Sequence, residues 1–295
     1  MCYKCGKELA VNHVLVDPNL CLHDGVCVAN CPASLLGMLE TPTGRLPTSE
    51  KGEYCLHCGH CVSVCRAGAL ALTSLARSEL RDLQVERESS PEQIEQLLQS
   101  RRSIRRYRDQ VVPRALIERA LDSARFAPSG MNQQPVAWTV VEGHDRVRAL
   151  AQAVRDLAAD LIAQKHPVAK RLHFERFVRE WDRGQDTILR NAPMLVIAHT
   201  PAGDPMGQGA ATIAMTYFQL AAMALDLGTC WAGYLQFALG FSPAVATLAG
   251  IPEGRQSNAA TMVGYAKHDY VAIPPRKPLQ VNWMCSEVRT SCHPV

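Results

Sequence analysis

Residues 55–65 read CLHCGHCVSVC, a CxxCxxCxxxC run that places Cys55, Cys58, Cys61 and Cys65 on one short stretch. Three thiolates at that spacing wrap three corners of a cubane on a tight turn, while the fourth, displaced along a helix, points to a neighbouring cluster. A zinc knuckle uses separated CxxC pairs and has no use for a third evenly spaced thiolate. Upstream, residues 21–32 read CLHDGVCVANCP, giving Cys21-x5-Cys27-x3-Cys31-Pro32. The alternative of a zinc site or unligated core thiols stands against the uninterrupted second run.

The rest of the composition bounds what surrounds these motifs. With 295 residues, 47% hydrophobic and 20% charged, the chain can bury one large core or two modest ones, which excludes wholesale disorder. Lys+Arg 31 against Asp+Glu 28 gives +3, with no long single-sign run, so no nucleic-acid partner is expected. Of 12 cysteines, all but Cys230, Cys285 and Cys292 precede residue 66. The opening MCYKCGKELAVNHVLVD lacks the apolar run of a secretory signal, so a cytoplasmic, reducing setting is expected, where clustered cysteines hold metal rather than disulfides. The charge-free run 210–225, AATIAMTYFQLAAMAL, is short for a membrane span and is interrupted by Thr212, Thr216 and Gln219; it reads as a helix buried in a core or a subunit interface.

A composition shift divides the chain into residues 1–78, a polar linker 79–92, a main unit 93–283 and a tail 284–295. Ser90-Pro91-Glu92 offers a helix start, with Ile94, Leu97 and Leu98 on one face. Beyond it the pattern predicts helices at 114–126, 145–164, 169–181, 210–227 and 243–249, and strands at 136–142, 194–199, 230–235 and 259–265. Helices alternating with fewer strands predict an α+β or α/β sandwich.

Residues 14–75 resemble a bacterial-type two-cluster ferredoxin. The resemblance implies one 4Fe-4S cluster on Cys31, Cys55, Cys58 and Cys61, and a second on Cys21, Cys27 and Cys65. Asp24 stands at the second position of the first motif, where that family has cysteine. A carboxylate is a harder ligand than thiolate, so this corner is expected to be labile, with Asp24 ligating a 4Fe-4S cluster or leaving a 3Fe-4S one. Arg66 replaces the proline usual after the last cysteine, and its charge is expected to favour the reduced cluster. Cys2 and Cys5 look like half a zinc knuckle, which Cys285 and Cys292 would complete only if the termini met.

In the main unit, Arg101-Arg102-Ser103-Ile104-Arg105 gathers three guanidiniums and a hydroxyl, a clamp for a phosphate dianion, although a solvated basic helix end reads the same way. ARFAPSGMNQQPVAWTVVE (124–142) brings a small-residue turn before a strand, and LGTCWAG and PPRKP follow far downstream. These four motifs, in this order, resemble the FMN-dependent nitroreductase family over residues 93–283. With the front segment, the chain resembles its ferredoxin–nitroreductase fusions.

The resemblance implies a nitroreductase-like α+β sandwich and an intertwined homodimer holding FMN at its interface. Arg101, Arg102 and Ser103 would hold the FMN phosphate, with Arg276 and Lys277 completing it, and Arg105 would lie at the pyrimidine edge. Pro128, Ser129, Gly130 and Asn132 would contact flavin from the neighbouring subunit, and Ala232 and Gly233 would bring backbone to N5. Thr216-Tyr217 stands where many relatives have Gln-Asn, which puts substrate range in question. No side-chain nucleophile or acid–base dyad is expected: His144 and His199 pair by spacing with no carboxylate.

The expected activity is an FMN-dependent oxidoreductase that reduces a nitroaromatic, quinone or similar small acceptor, with a ferredoxin or NAD(P)H as donor and the clusters relaying single electrons. The alternatives are an electron-transfer module serving a partner complex, and dehalogenation or flavin-consuming chemistry. No GxGxxG motif argues for a separate dinucleotide domain.

Overall fold

The computed structural model describes residues 13–49, 52–84 and 89–284. Cys2, Cys5, Cys285 and Cys292, and most of the proposed tail, lie outside these.

The front segment is built from two small antiparallel ladders. β1 (Val14–Val16) pairs with β4 (Leu70–Leu72), and β2 (Leu36–Thr41) with β3 (Gly44–Ser49). Between them stand two one-turn helices, α1 (Val26–Ala29) and α2 (His60–Ser63). CLHDGVCVANC and CLHCGHCVSVC have the same length and register, and the backbone repeats with them. His23 (φ 57°) and His57 (φ 48°) are left-handed, and Gly25 (φ 69°) and Gly59 (φ 75°) turn the chain into each helix. A small core of Val14, Cys27, Cys61, Val62, Leu70 and Leu72 holds the two halves together.

The main unit is a four-stranded sheet with helices on both faces. Its strands are β5 (Ala137–Glu142), β6 (Met194–Pro201), β7 (Gly228–Trp231) and β8 (Arg255–Gly264), in the order β5-β6-β8-β7, all pairs antiparallel. Alternation along β6 and β8 sends Leu195, Ile197, Ala260 and Met262 to one core, and Met194, Val196, Ala198, Ala259 and Val263 to the other. The first core is covered by α5 (His144–Ala163), α6 (Pro167–Arg171), α7 (Phe174–Asp182), α9 (Gly233–Phe241) and α10 (Pro243–Leu248). The second is covered by α4 (Arg114–Ala124) and α8 (Gly207–Ala224). α3 (Pro91–Ser100) leads in, capped by Ser90, whose Oγ accepts from Gln93 N.

The structure corrects two details of the sequence reading. The helix expected at 169–181 is broken in two, because His173 turns left-handed (φ 54°) between α6 and α7. The strand expected at 230–235 stops at Trp231, and the apolar run continues as α9. On α3, which forms as expected, Leu97 is half-buried while Ile94 (44%) and Leu98 (54%) are exposed. The charge-free run forms α8 as expected; Met215, Phe218 and Ala222 face the core, while Ile213 and Tyr217 are exposed on its outer side. Gln219 is buried there, its amide donating to Thr261 Oγ1 at 3.0 Å. Among the described residues no helix is long and apolar enough to cross a membrane.

Candidate functional site

The front segment carries two partly open cavities. One is lined by Cys31, Cys55, Cys58 and Cys61 among apolar residues such as Leu36, Leu56 and Leu72. The other is lined by Cys21, Asp24, Cys27 and Cys65, with Arg66 beside them. Each cavity therefore takes three positions from its own CxxxxxC turn and one cysteine from the opposite repeat.

The electrostatics match that grouping. Burial and the neighbouring thiols of Cys58, Cys31 and Cys55 push the Cys61 thiol up to about 11, and burial with Cys65 and Cys21 raises Cys27. Thiols that raise one another in this way become good ligands when a cationic centre displaces their protons. Backbone N–H groups already reach two of the sulfurs: Leu35 N donates to Cys31 Sγ and His57 N to Cys55 Sγ, both at 3.4 Å. Asp24 Oδ1 accepts from Val26 N at 3.1 Å, which fixes its carboxylate at the corner. Among the described residues no three His, Cys, Asp or Glu side chains gather tightly enough for a single metal ion. The thiols instead ring volumes, and a polynuclear cluster fits that donor set.

In the main unit, the segment 101–105 runs along the free edge of β7. Ser103 bridges Thr229 in parallel, and Ile104 N donates to Thr229 O at 2.9 Å. This close approach depends on Gly228, where a Cβ would stand 2.6 Å from Ile104 Cγ1. Arg101 and Arg105 then serve different cavities. Arg101 and Arg102 line an open one of about 910 Å³, together with Gly228, Thr229, His268 and Asp269. Arg101 Nη1 is buried there with no hydrogen-bond partner, an orphan donor suited to an anion. Arg102 turns back onto α3, its Nε donating to Ser100 O at 3.1 Å and its Nη2 to Gln99 O, and so closes the helix end.

Arg105 lines a second cavity of about 730 Å³ with Thr187, Arg190, Cys230, Trp231, Gly233 and Tyr234. Sequence reasoning missed Arg190 and Thr187. Arg190 is half-buried, and burial together with the Arg105 charge lowers its pKa. Neither guanidinium makes an ion pair among the described residues, and Thr187 Oγ1 is a second buried orphan. The loop that presents Arg190 is pinned by Asp186, whose carboxylate accepts from Ile188, Leu189 and Asn191 N at 2.8 Å each; Arg190 (φ 62°) and Asn191 (φ 50°) are left-handed. Gly233 opens α9 on the same cavity, and a Cβ added there meets nothing within 4 Å. Ala232 N donates to Ala260 O at 2.8 Å, so its N–H is committed to the sheet and Gly233 N–H is the donor left at that position.

The remaining sequence candidates lie elsewhere. Arg276 and Lys277 sit on the exposed extended stretch 267–284, apart from Arg101 and with no hydrogen bond or ion pair among the described residues. Pro128, Ser129, Gly130 and Asn132 line neither arginine cavity. Ser129 Oγ accepts from Gln134 N at 2.9 Å and closes the turn, and Gly130 packs on Met206, where a Cβ would collide with the sulfur. Asn132 Nδ2, expected at a flavin edge, donates to Leu56 O at 3.1 Å and His57 O at 3.2 Å.

His199 is structural. Its Nδ1 accepts from Arg255 Nε at 2.6 Å, its Nε2 meets Thr139 Oγ1 at 3.1 Å, and burial with the Arg255 charge holds its pKa down. His144 lies at the surface, 3.7 Å from Asp109.

Comparison with known proteins agrees with this division. A nitroreductase family model matches residues 98–265, and a 4Fe-4S dicluster domain model matches residues 13–66. Among solved structures, a nitroreductase with bound FMN from Bacteroides fragilis NCTC 9343 superposes with a TM-score of 0.51 at 21% identity, covering 65% of this chain and 96% of that one. A nitroreductase with bound FMN from Desulfitobacterium hafniense DCB-2 gives 0.52 at 19%, covering 64% and 96%. A BluB-like flavoprotein from Clostridium difficile 630 gives 0.51 at 23%, covering 63% and 94%. At these identities the likeness is one of fold.

Proposed function

The chain belongs to the nitroreductase family of oxidoreductases, and from that premise we propose that it binds FMN and two iron–sulfur clusters and reduces a nitroaromatic, quinone or similarly conjugated small acceptor. The observation that carries this reading is the pair of unneutralised guanidiniums, Arg105 and Arg190, facing the open side of Gly233 in one cavity, with the orphaned Arg101 Nη1 in the next. A planar anionic ring suits the first of these cavities, and a phosphate group the second. FMN-bound solved neighbours support the choice of that molecule.

In this reading Arg101 and Ser103 hold the phosphate, with Arg102 beside them. Arg105 and Arg190 hold positive charge at the pyrimidine edge, Thr187 Oγ1 offers a hydrogen bond there, and Gly233 supplies backbone close to the ring. The flavin, when bound, supplies the electron transfer; the chain anchors, polarises and leaves an open slot walled by Trp231 and Tyr234. Cys31, Cys55, Cys58 and Cys61 would hold one cluster, and Cys21, Asp24, Cys27 and Cys65 the other; these would relay single electrons to or from the flavin, with a ferredoxin or NAD(P)H as donor.

The unit boundary belongs at 79–92, and the working form is a homodimer. The exposed apolar faces of α3 and α8 and the extended stretch 267–284, with Leu279 and Trp283 exposed, support the dimer, and that stretch is the route by which Arg276 and Lys277 would reach a phosphate.

The reconstituted chain, given dithionite or NAD(P)H, is expected to reduce a nitroaromatic or quinone over many turnovers. Flavin reduction without turnover would contradict that and favour the second reading, an electron-transfer module for a partner complex. The front segment with its two cavities is the observation that supports this second reading.

A further inference from the structure

We infer that Asn132 is a positioning residue for one of the two iron–sulfur sites: its amide latches the loop between Cys55 and Cys58 onto the main unit, seating the four-cysteine site against that unit and leaving the Asp24 site unseated. The inference rests on the reading that both front cavities hold clusters.

An asparagine amide carries two N–H donors, and here two carbonyls take them, those of Leu56 and His57. Both carbonyls belong to the short stretch between two cavity-lining cysteines, and Leu56 itself lines the four-cysteine cavity. The turn that carries Asn132 is held in an uncommon shape. Met131, Asn132 and Gln134 are all left-handed, at φ 52°, 54° and 47°. Ser129 Oγ and the contact of Gly130 with Met206 keep it so. Asparagine tolerates that backbone better than most residues, and its Oδ1 receives Gln134 Nε2 at 3.4 Å, so the amide is oriented with its donors toward the loop.

The linker that follows the front segment is also held to the main unit, the Arg81 guanidinium standing 5.4 Å from the Phe126 ring centroid. Among the described residues, no residue lining the Asp24 cavity makes a hydrogen bond or ion pair to any residue beyond 89. Hydrogen bonds to the sulfurs and solvent exposure set a cluster's potential, and the loop that Asn132 holds carries His57 N, which donates to Cys55 Sγ at 3.4 Å. Asn132 therefore tunes one site and not the other.

The test uses the full chain reconstituted with iron, sulfide and FMN, as wild type and as two variants. Asn132→Gly keeps the left-handed backbone and removes the latch. Asn132→Asp keeps the shape but sets a carboxylate against two carbonyls. Amide hydrogen exchange over residues 55–60 is expected to quicken about tenfold in both, the effect of losing two modest hydrogen bonds. In EPR-monitored redox titrations one cluster's midpoint is expected to move while the other stays. An added Asp24→Cys substitution, which alters the unseated site, identifies which signal stayed. Unchanged exchange and unchanged potentials in both variants, or movement of the Asp24 signal alone, would overturn the inference. A wild-type chain that takes up no iron overturns the underlying reading instead, so the two failures are distinguishable.

Discussion

Arg105 and Arg190 share one cavity, reached from segments on opposite sides of α5–α7, and neither meets a carboxylate across it. Two like charges brought together out of water cost stability unless a ligand neutralises them. Arg190→Met is therefore expected to raise the thermal midpoint of the flavin-free protein. It is also expected to weaken FMN binding about 10- to 100-fold, the loss of a charge-assisted hydrogen bond. Thermal melts and flavin-fluorescence titration read the two effects; a variant that loses apo stability and keeps its FMN affinity would contradict the placement.

Arg101 separates phosphate from ring. Its Nη1 is the buried donor without a partner, in a cavity distinct from that of Arg105. Arg101→Ala is expected to weaken FMN by at least about tenfold while leaving riboflavin, which lacks the phosphate, nearly unaffected. Equal losses for both in titration calorimetry would move the phosphate elsewhere.

Gly228 sets how closely the arginine segment lies on the sheet. A Cβ there would come 2.6 Å from Ile104 Cγ1 and 2.9 Å from Ile104 Cβ. Gly228→Ala is expected to push residues 101–105 off β7, costing about 1–3 kcal/mol in unfolding and weakening FMN along with it. Denaturant melts check the first and fluorescence titration the second.

His199 gives the pH dependence a sign. Its folded pKa lies below its ordinary value, about 6.5, because of burial and Arg255. Between those two values the unfolded chain binds more protons than the folded one. Stability therefore rises with pH through that window and is lost as pH falls below about 6.5. His199→Asn, whose Oδ1 can take the place of Nδ1 as acceptor from Arg255, is expected to flatten that part of the stability–pH curve. An unchanged slope in melts from about pH 7 to about pH 5 would assign it to other groups.

What was legible in the sequence follows range. Cys55, Cys58 and Cys61 sit on one local turn and are legible as a group from spacing alone, whereas the exchange of Cys31 and Cys65 between the two cavities is long-range and enters the sequence reading only through the family resemblance. The Ser90 cap was readable from local spacing as well. The end of β7 was not, because CWAGYL is apolar throughout and fits either period; packing on the sheet starts α9 at Gly233. The break at His173 has no Gly or Pro to announce it. Arg190 stands in a loop before a strand with no motif around it, and the three N–H bonds to Asp186 set the shape of that loop. Asn132 finds its partners 75 and 76 residues away, a pairing no local pattern encodes.

Counting metal and flavin per chain after anaerobic reconstitution, with absorption and EPR spectra of the same sample, bears most directly on the whole account. The expected preparation is brown-yellow, carries FMN and iron with matching sulfide, and shows two distinguishable cluster signals, the Asp24 one losing iron first to a chelator. Zinc in place of iron, or a chain that leaves FMN in the flow-through, would contradict it.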